Sequence, residues 1–110
     1  MEQQPKKSFV LYFDMLDSVR RLSCDQAGHL FLALFEYARA AAEEDWDREA
    51  VLARFPDMEP AARMAFSFMA EAIRRDTEKW LAKHERYRQA AITRAMERRV
   101  RAISGEDTGW

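Results

Sequence analysis

The feature that most constrains the fold of this chain is a long stretch without helix-breaking residues. After Pro60, neither proline nor glycine occurs again until Gly105. Both residue types are unfavourable inside a helix, so the stretch between them can remain helical throughout. Apolar or aromatic side chains recur within it at intervals of three, four or seven residues, which returns them to one side of an α-helix. These positions are Ala62, Phe66, Met69, Ile73, Trp80, His84, Tyr87 and Ala91. We therefore predict one long helix from Glu59 to Ile103.

The segment before the first shorter helix leaves two conformations open. Residues 8–13 are apolar and rich in aromatic side chains, which suits an extended conformation. Phe9 and Phe13 would also share one face of a helix. From about Met15 to Arg21 the pattern favours a short helix, and Asp14 is its expected N-cap.

Two further helices are indicated by the residues that would cap them. Ser23 and Gln26 have the spacing of a capping box, in which hydroxyl and amide each satisfy a free backbone N–H. The helix that they open is expected to run to about Ala42. Asp47 is the expected cap of a third, shorter helix, which Pro56 ends.

The predicted fold class is all-α, with three shorter helices packed on the first half of one long C-terminal helix. With only 3 glycines and 3 prolines in 110 residues, the chain has little material for hairpin turns. The predicted core joins one face of the long helix to one stripe of the second helix. Its side chains are Phe66, Ile73, Trp80, Leu30, Phe31 and Leu34.

Beyond Ala91 the apolar side chains of the long helix lie on a different face. They repeat at four, four and three residues, so they form a continuous strip. The strip consists of Ile92, Met96, Val100 and Ile103. So short a chain has no obvious partner left for it, and we predict that it is the interface of a homodimer. The competing expectation is a frayed helix end that becomes ordered only on another partner.

Charge is distributed unevenly along the chain, although the net charge is only −1. Residues 36–59 hold eight acids against three arginines, whereas residues 86–101 hold six arginines against one acid. Within the long helix a set of bases falls on about a third of the circumference, and we predict that these bases, together with Arg98, bind nucleic acid, another polyanion or an acidic protein surface. These residues are Arg75, Lys79, Lys83, Arg86, Arg94, Arg98 and Arg101. The alternative is a solvated face that keeps the helix soluble, helped by ion pairs such as Glu71 with Arg75.

Residues that could support catalysis or metal binding are scarce. His29 and His84 are far apart, and no spacing of His, Cys or Asp matches a zinc site. Three glycines are too few for a phosphate-binding loop. We therefore expect no enzyme activity, catalytic residue, metal, cofactor or small-molecule substrate.

The composition favours one soluble domain in a reducing compartment. The single cysteine, Cys24, cannot form an internal disulfide, and no apolar run approaches the roughly 20 residues that cross a bilayer. We expect a cytoplasmic location in a bacterial host cell and no membrane partner. The predicted organisation is a polar leader in residues 1–7, a helical domain in 8–91, an extension with its own apolar strip and basic face in 92–103, and a flexible tail in 104–110.

Three segments resemble, in order and spacing, a domain family of unknown function found in bacterial phages, prophages and conjugative elements. The segments are Lys7–Tyr12, Leu22–Tyr37 and Ala65–Trp80, and the resemblance covers roughly residues 6–90. It implies an origin in a mobile element and an association with replication genes, and it implies no catalytic residues. Members often carry a basic, glycine-rich segment after the long helix, whereas Gln89–Thr93 continue helically here.

Together these observations predict a non-enzymatic phage or mobile-element accessory protein. It would bind nucleic acid or a replication protein through its basic C-terminal helix. The alternative is a protein-interaction module that inhibits a host defence or regulatory protein, with the acidic region 43–59 imitating phosphate.

Overall fold

The computed structural model describes residues 5–104, and helices are the regular secondary structure within that range. A 3-10 turn, Phe13–Met15, leads directly into α1, Leu16–Arg20. The helices that follow are α2, Cys24–Ala42; α3, Arg48–Leu52; and α4, Pro60–Ser104. The predicted all-α class is confirmed, with the long helix packing against the earlier ones.

The chain divides into two compact units, and α4 contributes to both. The first unit is Pro5–Lys79, which contains the shorter helices and the beginning of α4. The second unit contains Trp80 and the residues after it, of which the structure describes 80–104. The four-segment organisation proposed from the sequence stays a prediction, and its leader and tail lie largely outside the described residues.

The N-terminal segment adopts the extended alternative, and the predicted cap of the first helix is wrong. Tyr12 has extended backbone angles, φ −101° and ψ 150°, and the chain turns only after it. Asp14 lies inside the 3-10 turn, whereas an N-cap residue has non-helical backbone angles. No side-chain hydrogen bond caps α1 at Met15. The Tyr12 hydroxyl instead donates to the Asp76 carboxylate on α4.

Half of the predicted capping box is present at the start of α2. The Ser23 hydroxyl accepts the backbone N–H of Gln26 at 3.1 Å, as predicted. The Gln26 side chain does not return a bond to Ser23. Its amide nitrogen donates to the Asp57 carbonyl at 3.0 Å, and its amide oxygen accepts the Glu59 N–H at 2.8 Å. Gln26 is 5% exposed, so both of its bonds join the start of α2 to the loop that enters α4 away from water.

The starts of the later helices follow the sequence prediction, although α3 ends at Leu52, four residues before Pro56. The Asp47 carboxylate accepts the Ala50 N–H at 3.1 Å and caps α3. Pro60 is the first residue of α4, where the N–H that proline lacks would have no partner within the helix.

The core of the first unit lies between α2 and the beginning of α4. Leu30, Leu34, Phe66 and Ile73 are all buried, as predicted. The Tyr37 ring meets Phe66 edge to face, with ring centroids 5.9 Å apart.

Two predicted core residues are not fully buried. Phe31 is 50% exposed, because it follows Leu30 by one residue and so lies about 100° further around the helix. Trp80 is partly buried and stacks on His84, with ring centroids 3.8 Å apart.

Candidate polyanion-binding surface on the long helix

The part of α4 beyond Lys79 carries an aromatic cluster next to Lys83, one of the predicted binding cations. Within residues 80–104, the His84 ring stacks on Trp80, and its Nδ1 lies 3.0 Å from the Trp80 carbonyl oxygen. His84 also meets Tyr87 edge to face at 6.2 Å. The Lys83 ammonium lies 5.7 Å from the centre of the Tyr87 ring, which is cation–π distance. The cluster therefore holds a cation beside an exposed aromatic face.

Most of the predicted cations at the end of α4 are free of acidic partners. Lys83, Arg86, Arg94 and Arg98 are exposed, and none forms an ion pair with any described residue. Arg101 is exposed as well. The charges of Lys83, Arg86, Arg94 and Arg98 face water, and such charges attract polyanions without first having to break an ion pair.

Arg88, which is not among the predicted binding cations, is by contrast paired with an acid. Its guanidinium donates two hydrogen bonds to Glu85, at 2.7 and 3.0 Å. These bonds, together with one from Gln89, lower the pKa of Glu85 to about 2. Arg88 is therefore neutralised locally, and one helix offers both free and paired arginines for comparison.

Arg75 and Lys79 lie in the first unit, where their surroundings are mixed in charge. Both are exposed, but they line a depression of about 330 Å³ together with Asp14 and Asp76. Asp76 also accepts the Tyr12 hydroxyl, and this hydrogen bond raises the pKa of Tyr12. These two cations consequently share their surface with two carboxylates, unlike those beyond residue 80.

The prediction of an ion pair between Glu71 and Arg75 is wrong. Glu71 accepts hydrogen bonds from Arg74, at 2.5 and 3.3 Å, and from Arg48 on α3. The bonds from Arg74, and then those from Arg48, lower the pKa of Glu71 to about 2. Arg74 also donates to Glu78 at 2.7 Å. Arg74, three residues after Glu71, and Arg48, which is distant in sequence, therefore pair with Glu71. Arg75, four residues after Glu71, forms no ion pair with it.

The predicted apolar strip is exposed in the single chain. Ile92, Met96, Val100 and Ile103 are between 41% and 80% exposed. Their role as a dimer interface stays a prediction, as does the binding role of the seven cations.

Two kinds of feature were not found among residues 5–104. No group of three or more His, Cys, Asp or Glu side chains in residues 5–104 is arranged to hold a metal ion. Over the same range, no helix combines the length and the apolar character needed to cross a bilayer.

The first unit is a small helical domain, and the second unit, in its described residues 80–104, is a helix with exposed bases. The model of a family of unknown function, DUF6291, matches residues 8–99, and the protein belongs to this family. No curated protein and no solved structure matches the chain. The resemblance to a family of unknown function is thereby confirmed, whereas its link to phages and mobile elements stays a prediction.

Proposed function

We propose that this protein is a non-enzymatic accessory protein of a phage or other mobile element, which binds nucleic acid or a replication protein through the end of α4. The observation that carries the proposal is the set of exposed, unpaired cations Lys83, Arg86, Arg94 and Arg98. Residues 80–104 hold seven bases against two acids, a net charge of +5. The mobile-element context rests on the family resemblance alone.

Phosphate contacts dominate the proposed binding. Such contacts give affinity with little sequence preference, and affinity falls as salt rises because counterions are released. We assume that each of the four cations neutralises one phosphate. A plot of the logarithm of the affinity for duplex DNA against the logarithm of the salt concentration then has a slope of about −3.6. Tyr87, 60% exposed beside Lys83, offers a face on which an unpaired base stacks, so single strands bind more tightly than this charge count implies.

Fluorescence anisotropy with labelled single-stranded DNA, duplex DNA and RNA, at several salt concentrations, tests the proposal. Neutralising Arg94 and Arg98, two of these four cations, together to Gln should weaken binding to all sequences alike and flatten the slope by about 1.8. The matched pair of single changes is Arg94→Gln against Arg88→Gln, since Glu85 already engages Arg88. Arg94→Gln should weaken binding more. Absence of binding by the wild type at low salt would remove the nucleic-acid proposal.

An alternative function is favoured by a separate observation in the acidic region. Its arginines are engaged elsewhere, since Arg48 pairs with Glu71 and Arg54 pairs with Glu36. Several acids of this region remain exposed and form no ion pair with the described residues. They are Glu43, Glu44, Asp45, Asp47 and Glu49. We call these five residues the acidic edge. Acids without ion-pair partners suit a module that inhibits a host defence or regulatory protein by occupying the phosphate-binding surface of that protein.

Heparin chromatography at low salt separates the two functions. A protein that works through its basic helix is retained and elutes in a salt-dependent manner. A protein that works through its acidic edge passes through the column. Such a protein binds a basic partner, and the double change Glu43→Lys with Asp45→Lys abolishes this binding.

A further inference from the structure

The first unit exposes an apolar groove that the basic helix does not explain. Phe13 is 98% exposed, and Leu16 and Phe31 are each about half exposed. These three side chains surround a cavity of about 280 Å³, which reaches down to the buried side chains of Leu34 and Met69. Small soluble domains rarely leave large apolar side chains in water around a cavity without a binding partner.

Local structure explains why these side chains point outwards together. The extended segment ends at Tyr12, and the 3-10 turn that follows presents Phe13 to solvent. Leu16 begins α1 directly after this turn. Phe31 lies on the flank of α2 beside its buried stripe, and both chain segments line the groove.

The apolar strip at the end of α4 has the shape that such a groove accepts. Its four aliphatic side chains lie on one side of a helix over about 16 Å, at 1.5 Å per residue. Apolar helix faces anchored at intervals of three, four and seven residues are a recurrent ligand of hydrophobic grooves. Contact between the strip and the groove would therefore bury apolar area of both surfaces that otherwise faces water.

Charge favours this pairing between two copies of the chain. Residues 5–79 hold fourteen acids against eleven bases, a net charge of −3, whereas residues 80–104 carry +5. Near the groove, Asp14 and Asp17 are exposed and form no ion pair within the described residues. Arg99 lies about 60° around the helix from the middle of the strip and is likewise exposed and unpaired among them. Opposite charges thus flank the two apolar surfaces.

We infer that the strip Ile92, Met96, Val100 and Ile103 of one protomer docks in the groove formed by Phe13, Leu16 and Phe31 of a second copy. The exchange is reciprocal, so the same pair of surfaces is buried twice around a two-fold axis. The inference specifies the receiving surface of the predicted homodimer. It does not depend on nucleic-acid binding.

Light scattering at micromolar concentration gives the first test. The wild type should be a dimer, and Leu16→Asp in the groove and Met96→Asp in the strip should each convert it to a monomer. Met64→Asp is the matched control, because Met64 is an exposed apolar residue of α4 outside both surfaces and should leave the dimer intact. Unchanged circular dichroism of each variant shows that loss of the dimer is not loss of the fold.

Disulfide trapping gives the second test and decides which surfaces meet. In a Cys24→Ser background, differently tagged Leu16→Cys and Val100→Cys proteins are mixed and oxidised. The mixture should form a covalent heterodimer much faster than Met64→Cys mixed with Val100→Cys.

Three results would overturn the inference. The first is a wild type that is monomeric at every concentration tested. The second is a dimer that survives Leu16→Asp but not Met96→Asp, because the strips would then pack on each other. The third is rapid covalent dimerisation of Val100→Cys alone with none between the mixed variants. Each of these results can occur whether or not the anisotropy experiment detects binding of a short polyanion, so the dimer and the polyanion proposal fail independently.

Discussion

Gln26→Ala tests whether a single buried amide fixes the start of α2 to the start of α4. The change removes one acceptor and one donor, and it leaves the Asp57 carbonyl and the Glu59 N–H without their partner. Each buried backbone group left unsatisfied costs about 1–3 kcal/mol. Asp57 and Glu59 are themselves exposed, so water reaches part of the vacated space and the lower half of the range applies. We expect the free energy of unfolding to fall by about 2–4 kcal/mol.

Urea unfolding followed by circular dichroism measures this loss, and Ser23→Ala is the matched control. Ser23 caps the same helix with one bond to a backbone N–H, so its removal should cost about 1 kcal/mol. If the two variants were equally stable, Gln26 would act only within α2 and the reasoning would be refuted.

The pH dependence of the stability of a Gln26→Glu variant distinguishes the bond to the Glu59 N–H from the bond to the Asp57 carbonyl. The new carboxylate still accepts the Glu59 N–H, but it faces the Asp57 carbonyl, to which only a protonated carboxyl can donate. This contact and burial favour the neutral form, so its pKa is higher in the folded protein than in the unfolded chain. The variant should therefore recover stability relative to the wild type as pH falls and lose it as pH rises. A stability difference that does not change with pH would show that the amide donor is dispensable.

Two further predictions concern stability. Phe66→Ala removes a ring that is fully buried against Tyr37, and it should cost about 3–5 kcal/mol in urea unfolding; an unchanged melting temperature would contradict the packing of α2 on α4. Because the pKa of Glu71 is lowered from 4.5 to about 2 in the folded protein, its contribution is present above pH 4.5 and is lost as pH falls towards 2. Acid titration of Glu71→Gln should accordingly show a shallower loss of stability over that interval than the wild type does, and identical acid profiles would count against the pairing with Arg74 and Arg48.

The sequence predicts those elements whose signals are local. Ser23, Asp47 and Pro60 each act on backbone groups within a turn of their own position, so their effect does not depend on the rest of the fold. The absence of proline and glycine between Pro60 and Gly105 is likewise a property of the segment itself. For that reason, the starts of α2, α3 and α4 follow the prediction closely.

Two of the failed predictions, those for Gln26 and Glu71, depend on partners that are remote in sequence. Gln26 fits the capping box, but the backbone at Asp57 and Glu59 needs a buried partner and takes its side chain. Glu71 has Arg75 at a favourable helical spacing, yet Arg48 arrives from α3 and Arg74 completes the site. Local patterns identify groups able to form such bonds, whereas the packing of α2 and α3 on α4 decides which of them do so.

The same distinction applies to the candidate site. The positions of its cations on the helix could be predicted, but their state of pairing could not. Arg88 and Arg94 are indistinguishable by residue type, and both follow an acid or precede one within three residues. The structure separates them, since Glu85 holds Arg88 while Glu97 forms no ion pair with Arg94.

The helix geometry finally explains how one short segment can serve both assembly and polyanion binding. Arg94 and Arg98 each precede a strip residue, Met96 and Val100, by two positions, which places them about 200° away around the helix. A partner that covers the strip therefore leaves these two cations in water. In the proposed dimer, two protomers present two basic faces, and we expect a polyanion long enough to reach both to bind with an avidity that a monomer lacks. Loss of the dimer should consequently weaken binding to long polyanions while leaving the affinity for short ones close to that of the wild type.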